Sequence, residues 1–243
     1  MADAQQGERG PASNRLLRAL PKDSLHRLQR RLEPVELDRR ELVHAAGAPV
    51  EHVYFIDTGL VSLVRAMSDG RLVEVGAVGI EGIAGHSAAI GLRRAPVDAV
   101  VQLPVVARRI SPVALREEMA RDDALRDLVL GYTEAAYGQL AQTAACNRLH
   151  TLEERCSRWL LIAHDNARTD RFHLTHEHLA LLLGVQRPGL SITAHALQSA
   201  GLIHYHNGEM EILDRSGLET ASCECYRAVQ ANFDQLLGPA HPR

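Results

Sequence analysis

The segment LTHEHLALLLGVQRPGLSITAHALQSAGLIHYHNGEMEIL, residues 174–213, constrains the fold more than any other part of the chain. Gly184 is placed to end a short helix, because glycine adopts a left-handed backbone without strain. A second helix is predicted directly after it, with Pro188 in its first turn. Asn207-Gly208 then favours a two-residue hairpin between alternating residues. Two helices joined by a glycine turn and followed by a hairpin are typical of a winged helix-turn-helix.

Short strands are predicted upstream of this segment. Residues 34–110 alternate valine-rich runs with glycine, and tight turns are expected at Thr58-Gly59 and Asp69-Gly70. Many short strands with no long helix between them favour a small β-sandwich or barrel. Two short helices separated by a proline precede this region, and a new helix follows it.

Residues 123–149 contain no proline and predict one helix of about 40 Å. Its small and apolar residues recur every seven positions, which leaves two interpretations. The helix either pairs with the same helix of a second copy or packs on its own β-domain. We favour the first and therefore expect a homodimer. The predicted interface consists of Leu125, Leu128, Tyr132, Ala135, Gln139 and Gln142.

The sequence TLEE at residues 151–154 is a capping box, in which Thr151 and Glu154 satisfy each other's backbone amides. A helix start that directly follows a long helix indicates a break between two helices. We therefore expect a hinge at His150-Thr151.

Three segments resemble the Crp/Fnr superfamily of bacterial transcription regulators: NRLHTLEERCSRWLL, LTHEHLALLLGVQRPG and ALQSAGLIHYHNGEMEILDRSGLE. The resemblance covers most of the chain from about His52 onward. It implies a homodimer that binds a palindromic operator in double-stranded DNA and contacts RNA polymerase. It also implies that the β-domain resembles a cyclic nucleotide-binding domain and senses a signal.

The chain is accordingly predicted to be an α+β protein with three parts. The N-terminal part is a β-roll or jelly-roll sensor domain with N-terminal helices, residues 1–118. A dimerisation helix, residues 119–150, leads to a winged helix-turn-helix domain, residues 151–243.

Members of the superfamily that bind cyclic AMP carry a Gly-Glu pair for the ribose and an Arg-Ser pair for the phosphate. The corresponding regions here read GIAGHSA and RRAPVDA, so a histidine and a proline stand near those positions. Proline has no amide hydrogen to donate to a phosphate. We therefore expect no binding of cyclic AMP. The effector pocket is assigned to His86, Ser87, Arg93 and Arg94.

No metal site is predicted either. The oxygen-sensing branch of the superfamily holds an iron-sulfur cluster through cysteines near its N-terminus, and no cysteine precedes Cys146 here. Seven of the 13 histidines lie between His164 and His206, but without an HExxH pairing. Cys223 and Cys225 can chelate or oxidise, yet a helix would turn them to different sides, so ordinary packing is favoured.

Arg187 is the strongest candidate for reading DNA, because a guanidinium at the start of a recognition helix can donate two hydrogen bonds to guanine. The alternatives are a phosphate contact or a solvent-exposed arginine without a partner. Ser191 and His195 follow on the same side and favour phosphate contacts. The predicted DNA-binding residues are Thr175, His176, Gln186, Arg187, Pro188, Gly189, Ser191, His195, Asn207 and Gly208.

The net charge of −3 gives no overall attraction to nucleic acid, and residues 151–215 hold six arginines against eight acids. DNA binding is therefore expected to be local and sensitive to salt. The rival interpretation is a protein-interaction or ligand-binding module that no longer binds DNA. No enzyme is expected, since no nucleophile-base set or phosphate loop is found. The absence of a long apolar run favours a cytoplasmic protein away from membranes.

Overall fold

The computed structural model describes residues 13–239 and has the predicted α+β fold. Its helices are α1 (Arg15–Ala19), α2 (Lys22–Gln29), α3 (His86–Ala89), α4 (Pro112–Arg121), α5 (Asp123–Leu149), α6 (Leu152–Ala167), α7 (His176–Leu182), α8 (Arg187–Ser199), α9 (Arg215–Ala221) and α10 (Cys225–Leu237). Its strands are β1 (Glu33–Leu37), β2 (Leu42–His44), β3 (Val53–Ala66), β4 (Leu72–Val78), β5 (Ile83–Ala84), β6 (Asp98–Ile110), β7 (Arg171–His173), β8 (Ile203–His206) and β9 (Glu209–Ile212).

Strands β1 to β6 form one antiparallel sheet, which we call the β-domain. The order is β1-β6-β3-β4, with β2 paired to β6 and β5 paired to β3. The long strands β3 and β6 pair from Val53 opposite Ile110 to Val64 opposite Asp98. Their valine-rich sequences suit this position, because branched side chains pack well on a pleated, buried surface.

The turn predicted at Thr58-Gly59 is absent, and this expectation was wrong. Strand β3 continues through both residues, because its pairing with β6 resumes on either side with irregular register. Gly59 has φ +89°, and a Cβ placed there would lie 2.1 Å from the carbonyl oxygen of Pro104. Gly59 therefore allows a β-bulge in β3 and the close approach of the Pro104 backbone. The turn at Asp69-Gly70 is confirmed, since Gly70 has φ +84° between β3 and β4.

Helix α5 packs lengthwise on the β-domain and on α10. Leu125 and Tyr132 are 1% and 2% exposed, and the Tyr132 ring stacks on Phe233 of α10. Gln139 is buried as well, and its side-chain oxygen accepts from the Ala77 amide of β4 at 3.3 Å. These residues belong to the predicted dimer interface, and in the structure their partners come from their own chain. This row of α5 therefore packs within its own chain, which was the alternative interpretation of the sequence.

A different row of α5 faces outward. Leu130, Tyr137 and Leu140 are 48%, 67% and 37% exposed. Large exposed apolar side chains at helical spacing indicate a surface that has not found its partner within the chain.

The predicted break between α5 and α6 is confirmed. Helix α5 ends at Leu149 and α6 begins at Leu152. The Thr151 hydroxyl accepts from the Glu154 amide at 3.3 Å, and the Glu154 carboxylate accepts from the Thr151 amide at 2.7 Å. This capping box starts α6 independently of α5.

Residues 152–237, the C-terminal domain, dock on the β-domain through an apolar surface that includes polar contacts. The indole N–H of Trp159 donates to the Glu74 carboxylate at 3.1 Å, and the Ser62 hydroxyl donates to the same carboxylate. Leu60 and Leu103 of the β-domain share a core with Trp159. Burial raises the pKa of Glu74 to about 7, against the opposing effect of these hydrogen bonds. No helix among residues 13–239 is both long and apolar enough to cross a bilayer.

We expect the docking contact to titrate near neutral pH. Because the folded pKa of Glu74 is raised, its contribution to stability is full below the ordinary carboxyl pKa and is lost as pH rises towards 7. Trp159 is the only tryptophan in the chain, so its fluorescence reports this ionisation. Emission should change with a midpoint near pH 7 in the native protein and in the exposed variant Glu134→Gln, but not in Glu74→Gln. A midpoint near pH 4.5 would contradict this assignment.

Candidate nucleic-acid interface

The predicted helix-turn-helix is formed by α7 and α8. The Thr175 hydroxyl accepts from the His178 amide at 3.2 Å and so caps α7. Gly184 follows the helix with φ +65°, and the Val185 amide donates to the Ala180 carbonyl at 2.9 Å. Pro188 lies in the first turn of α8, where a missing amide hydrogen costs little. The buried faces of the two helices close the turn.

The predicted wing is formed by β8 and β9. Asn207 and Gly208 connect the strands with φ values of +49° and +85°, which suits a type I′ hairpin. A third strand, β7, pairs with β9 on its other side. The sequence pattern did not identify β7. The local signal is the alternation of polar and apolar residues from Arg171 to His173. In the structure Phe172 is buried, and its two neighbours are more exposed.

The predicted DNA-binding residues differ in exposure. Five are exposed, four are half-buried and one is buried. The exposed residues are Gln186, Arg187, Pro188, His195 and Asn207; the half-buried residues are Thr175, His176, Gly189 and Ser191. The buried residue is Gly208, which lies against the His173 ring and whose φ of +85° forms the turn. The remaining nine lie along α8, at the start of α7 and at the wing tip.

Ile192 is a surface residue that sequence reasoning missed. It is 73% exposed and lies one turn after Pro188 on the outward side of α8. The signal was present, because positions 188, 191, 192 and 195 share one helical face. An apolar side chain on a recognition helix suits contact with the methyl group of thymine.

His176 joins the two helices and the wing. Its ring stacks on Tyr205 of β8 with centroids 3.9 Å apart, and its Nδ1 lies 3.3 Å from the Ser191 hydroxyl. Burial lowers the pKa of His176, and the nearby Arg187 guanidinium lowers it further. The lowered pKa favours the neutral form of the ring. His176 was predicted to contact DNA, and in the structure its half-buried ring also positions α7 against α8 and the wing.

Arg187 is the cation at the centre of this surface. No ion pair with Arg187 is found in the described part of the chain, whereas the acids of the wing are occupied. Glu211 pairs with Arg171 at 2.8 Å, and Glu209 lies 2.9 Å from His173 Nδ1. The wing acids therefore repel a phosphate less than their number suggests.

The predicted effector residues do not converge on one pocket. His86 and Ser87 face inward on α3, and the His86 ring meets the edge of Tyr132 at 5.4 Å. Arg93 and Arg94 are exposed, and Arg94 donates to the Gly47 carbonyl at 2.5 Å. Burial lowers the pKa of His86, which favours the neutral form of this side chain as well.

These residues do not fit a cyclic nucleotide. A cyclic phosphate needs a cation and free amides at the same place. In this segment the Ala95 amide is used by the Ala48 carbonyl, and Pro96 has no amide hydrogen. Neither arginine enters the interior of the sheet. The segment therefore lacks the donors that would offset the desolvation of a phosphate.

Two parts of the chain match known domain families. Residues 34–122 match the cyclic nucleotide-binding domain, and residues 154–221 match the Crp-like helix-turn-helix domain. No curated protein matches the chain in sequence.

Solved structures share the fold of more than three quarters of the chain. FixK2 from Bradyrhizobium japonicum is 16% identical with a TM-score of 0.66, over 79% of this chain and 98% of that chain. A transcriptional regulator of the CRP family from Thermus thermophilus is 22% identical with a TM-score of 0.64, over 77% and 96%. The c-di-GMP-responsive global regulator CLP from Xanthomonas campestris is 17% identical with a TM-score of 0.63, over 79% and 99%.

We expect the β-domain to bind neither cyclic AMP nor cyclic GMP, although residues 34–122 match a nucleotide-binding family. Calorimetric titration should show no saturable heat at micromolar nucleotide, and the melting temperature should not change with millimolar nucleotide. Saturable binding that disappears in Arg94→Ala would contradict this expectation and identify the phosphate ligand.

Proposed function

We propose that this chain is a transcriptional regulator of the Crp/Fnr type that binds a palindromic operator as a homodimer, since residues 34–122 match the cyclic nucleotide-binding domain and residues 154–221 match the Crp-like helix-turn-helix domain. The observation that carries the proposal is the outward face of α8, where Arg187 is exposed and acts electrostatically on His176, whose ring stacks on Tyr205 of the wing. Two of the three solved structures named above are of regulators. Contact with RNA polymerase and a cytoplasmic location belong to the same proposal.

Base reading is assigned to the first two turns of α8. Arg187 can reach the O6 and N7 atoms of a guanine, and Ile192 can contact a thymine methyl group one turn later. His195 and the wing tip at Asn207 lie at the margins of the same face and are assigned to phosphates. The outward face of α8 carries both an exposed cation, Arg187, and an exposed apolar side chain, Ile192. This combination suits base reading and favours the proposal over a protein-interaction module.

Replacing Arg187 with alanine should abolish sequence preference without changing the fold. One bidentate contact contributes about 1–3 kcal/mol of discrimination, and a dimer makes it twice. The matched control is Arg227→Ala, which removes the same charge from an exposed position on α10. Affinities for an operator selected from random DNA and for unrelated DNA should be measured at several salt concentrations. If Arg187→Ala weakens both to the same extent, Arg187 contacts phosphate only.

The proposed dimer interface is the outward row of α5, in place of the row predicted from the sequence. Leu130, Tyr137 and Ala144 are seven residues apart, and Thr133, Leu140 and Asn147 form the interleaved series. This three-four spacing is the pattern of a coiled-coil seam. The second copy is the proposed occupant, because a palindromic site requires two reading surfaces in fixed relation.

Two charges in this row should separate the dimer and leave each chain folded. The double variant Tyr137→Asp, Leu140→Asp would bury unpaired carboxylates at the interface, whereas both positions are exposed in the single chain. Sedimentation should report a monomer with native circular dichroism and weakened operator binding. Leu125→Asp is the contrasting variant and should lose its fold, because Leu125 is 1% exposed. A double variant that stays dimeric would place the interface elsewhere.

The proposed signal site is a cavity of about 460 Å³ between the β-domain, α6 and α10. Its lining includes Glu81, Gln139, Asp165, Arg215 and Tyr226. The pKa of Glu81 is raised by burial, and Arg215 already pairs with Asp165 at 2.8 Å. A ligand in this cavity touches both domains, so it is able to favour one relative orientation over another.

A further inference from the structure

Three cysteines and one histidine from two distant parts of the chain meet beside the α5–α6 break. Cys146 lies in the last turn of α5 and His150 follows that helix, while Cys223 and Cys225 lie at the start of α10. One ligand atom from each of the four lies within 4.8 Å of all the others. We propose that these four residues bind one zinc ion as a Cys3His site. This inference does not depend on DNA binding.

The distances suit a single tetrahedral ion. With usual zinc-ligand bond lengths, two thiolate sulfurs lie about 3.8 Å apart, and a sulfur and an imidazole nitrogen lie about 3.5 Å apart. The Cys146 and Cys223 sulfurs are 3.6 Å apart, and the Cys225 sulfur lies 3.5 Å from His150 Nδ1. An iron-sulfur cubane attaches each ligand to a different iron and therefore needs a wider arrangement.

The surrounding groups orient the ligands. His150 Nε2 lies 3.3 Å from the Glu224 carboxylate, so Nδ1 is left to face the sulfurs. A carboxylate that holds the outer nitrogen is the usual support of a zinc-bound histidine. The Gln142 amide donates to the Cys225 sulfur at 3.0 Å and so helps to hold this side chain in place. Glu224 stands between Cys223 and Cys225 in the chain, and Gln142 lies one helical turn before Cys146.

Charge and burial also point to a cation. The three thiols are 0%, 4% and 0% exposed and form a small cluster separate from the main cores. The Arg158 guanidinium acts electrostatically on the Cys146 sulfur. Arg158 is itself buried, with its Nε lacking a hydrogen-bond partner among the described residues. Three thiolates, a neutral imidazole and Zn²⁺ carry a net charge of −1, which would offset the charge of Arg158.

A disulfide is the competing chemistry. The sulfurs of Cys146 and Cys223 are well beyond the bond length of about 2.05 Å, and oxidation would leave Cys225 and His150 without a role. Sequence reasoning predicted ordinary packing because Cys223 and Cys225 alone make a poor chelate. Their partners lie 77 and 75 residues earlier in the chain, and the fold supplies them.

The site would link the end of α5 to the start of α10 across the break at His150-Thr151. Metal binding would therefore fix the C-terminal domain relative to α5, and its free energy would add to folding. The thiols release protons as they bind, so affinity should increase with pH.

The test is zinc content of the untagged full-length chain, purified in a reducing buffer and measured by atomic spectrometry. We expect one zinc per chain in the native protein and in Cys156→Ser, which removes a buried cysteine outside the cluster. Cys223→Ser should lose the zinc. Glu224→Gln should keep the fold and weaken zinc binding by about ten- to a hundredfold.

Cobalt provides a readout that does not depend on a variant that folds. Co²⁺ added to the chelator-treated native protein should give the strong visible bands of a tetrahedral site and a sulfur-to-cobalt charge-transfer band, and zinc should displace it. Chelation should lower the melting temperature and expose three further thiols to alkylation. Absence of zinc together with absence of these bands, or zinc retained in Cys223→Ser, would overturn the proposal. A Cys146–Cys223 disulfide found under the reducing conditions would overturn it as well.

Discussion

The burial of one face of α5 against the β-domain and α10 determines where every other part lies. Tyr132, at the centre of this face, contacts His86 of the β-domain on one side and Phe233 of α10 on the other. The cost of removing these groups from the core would be several kcal/mol. Because this face is occupied, only the opposite face is available to a second chain. One face of α5 therefore packs within its own subunit, and the opposite face is the proposed contact between two subunits.

Features with a local chemical cause could be predicted from the sequence. Gly184 ends α7 because the turn requires a positive φ, and Asn207-Gly208 form the hairpin for the same reason. Thr151 and Glu154 satisfy each other's amides within one turn. Each signal acts over a few residues, so composition and spacing were sufficient to locate the helix-turn-helix, the wing and the break.

Features that depend on distant contacts could not be predicted in this way. Thr58-Gly59 has the composition of a turn, but pairing with β6 carries the strand through it. Heptad spacing in α5 is the same for its inward and outward rows, and only the β-domain decides which is buried. The cysteines at 223 and 225 gain ligand partners from a helix that ends more than seventy residues earlier. In each case the deciding neighbour is far away in the chain.

The His176 ring fixes the relative positions of the elements that form the proposed DNA-binding surface. It stacks on Tyr205 and lies against Ser191, so α7, α8 and the wing are held together around one side chain. The distance from recognition helix to wing is thereby set within a subunit, and the capping box separates this unit from α5. In the proposed dimer, the layout of each half-site would then depend on this unit, and the spacing between the two half-sites on how the C-terminal domain is held against α5. The length of DNA between the half-sites would accordingly be set at the α5–α6 break and not within the helix-turn-helix and wing.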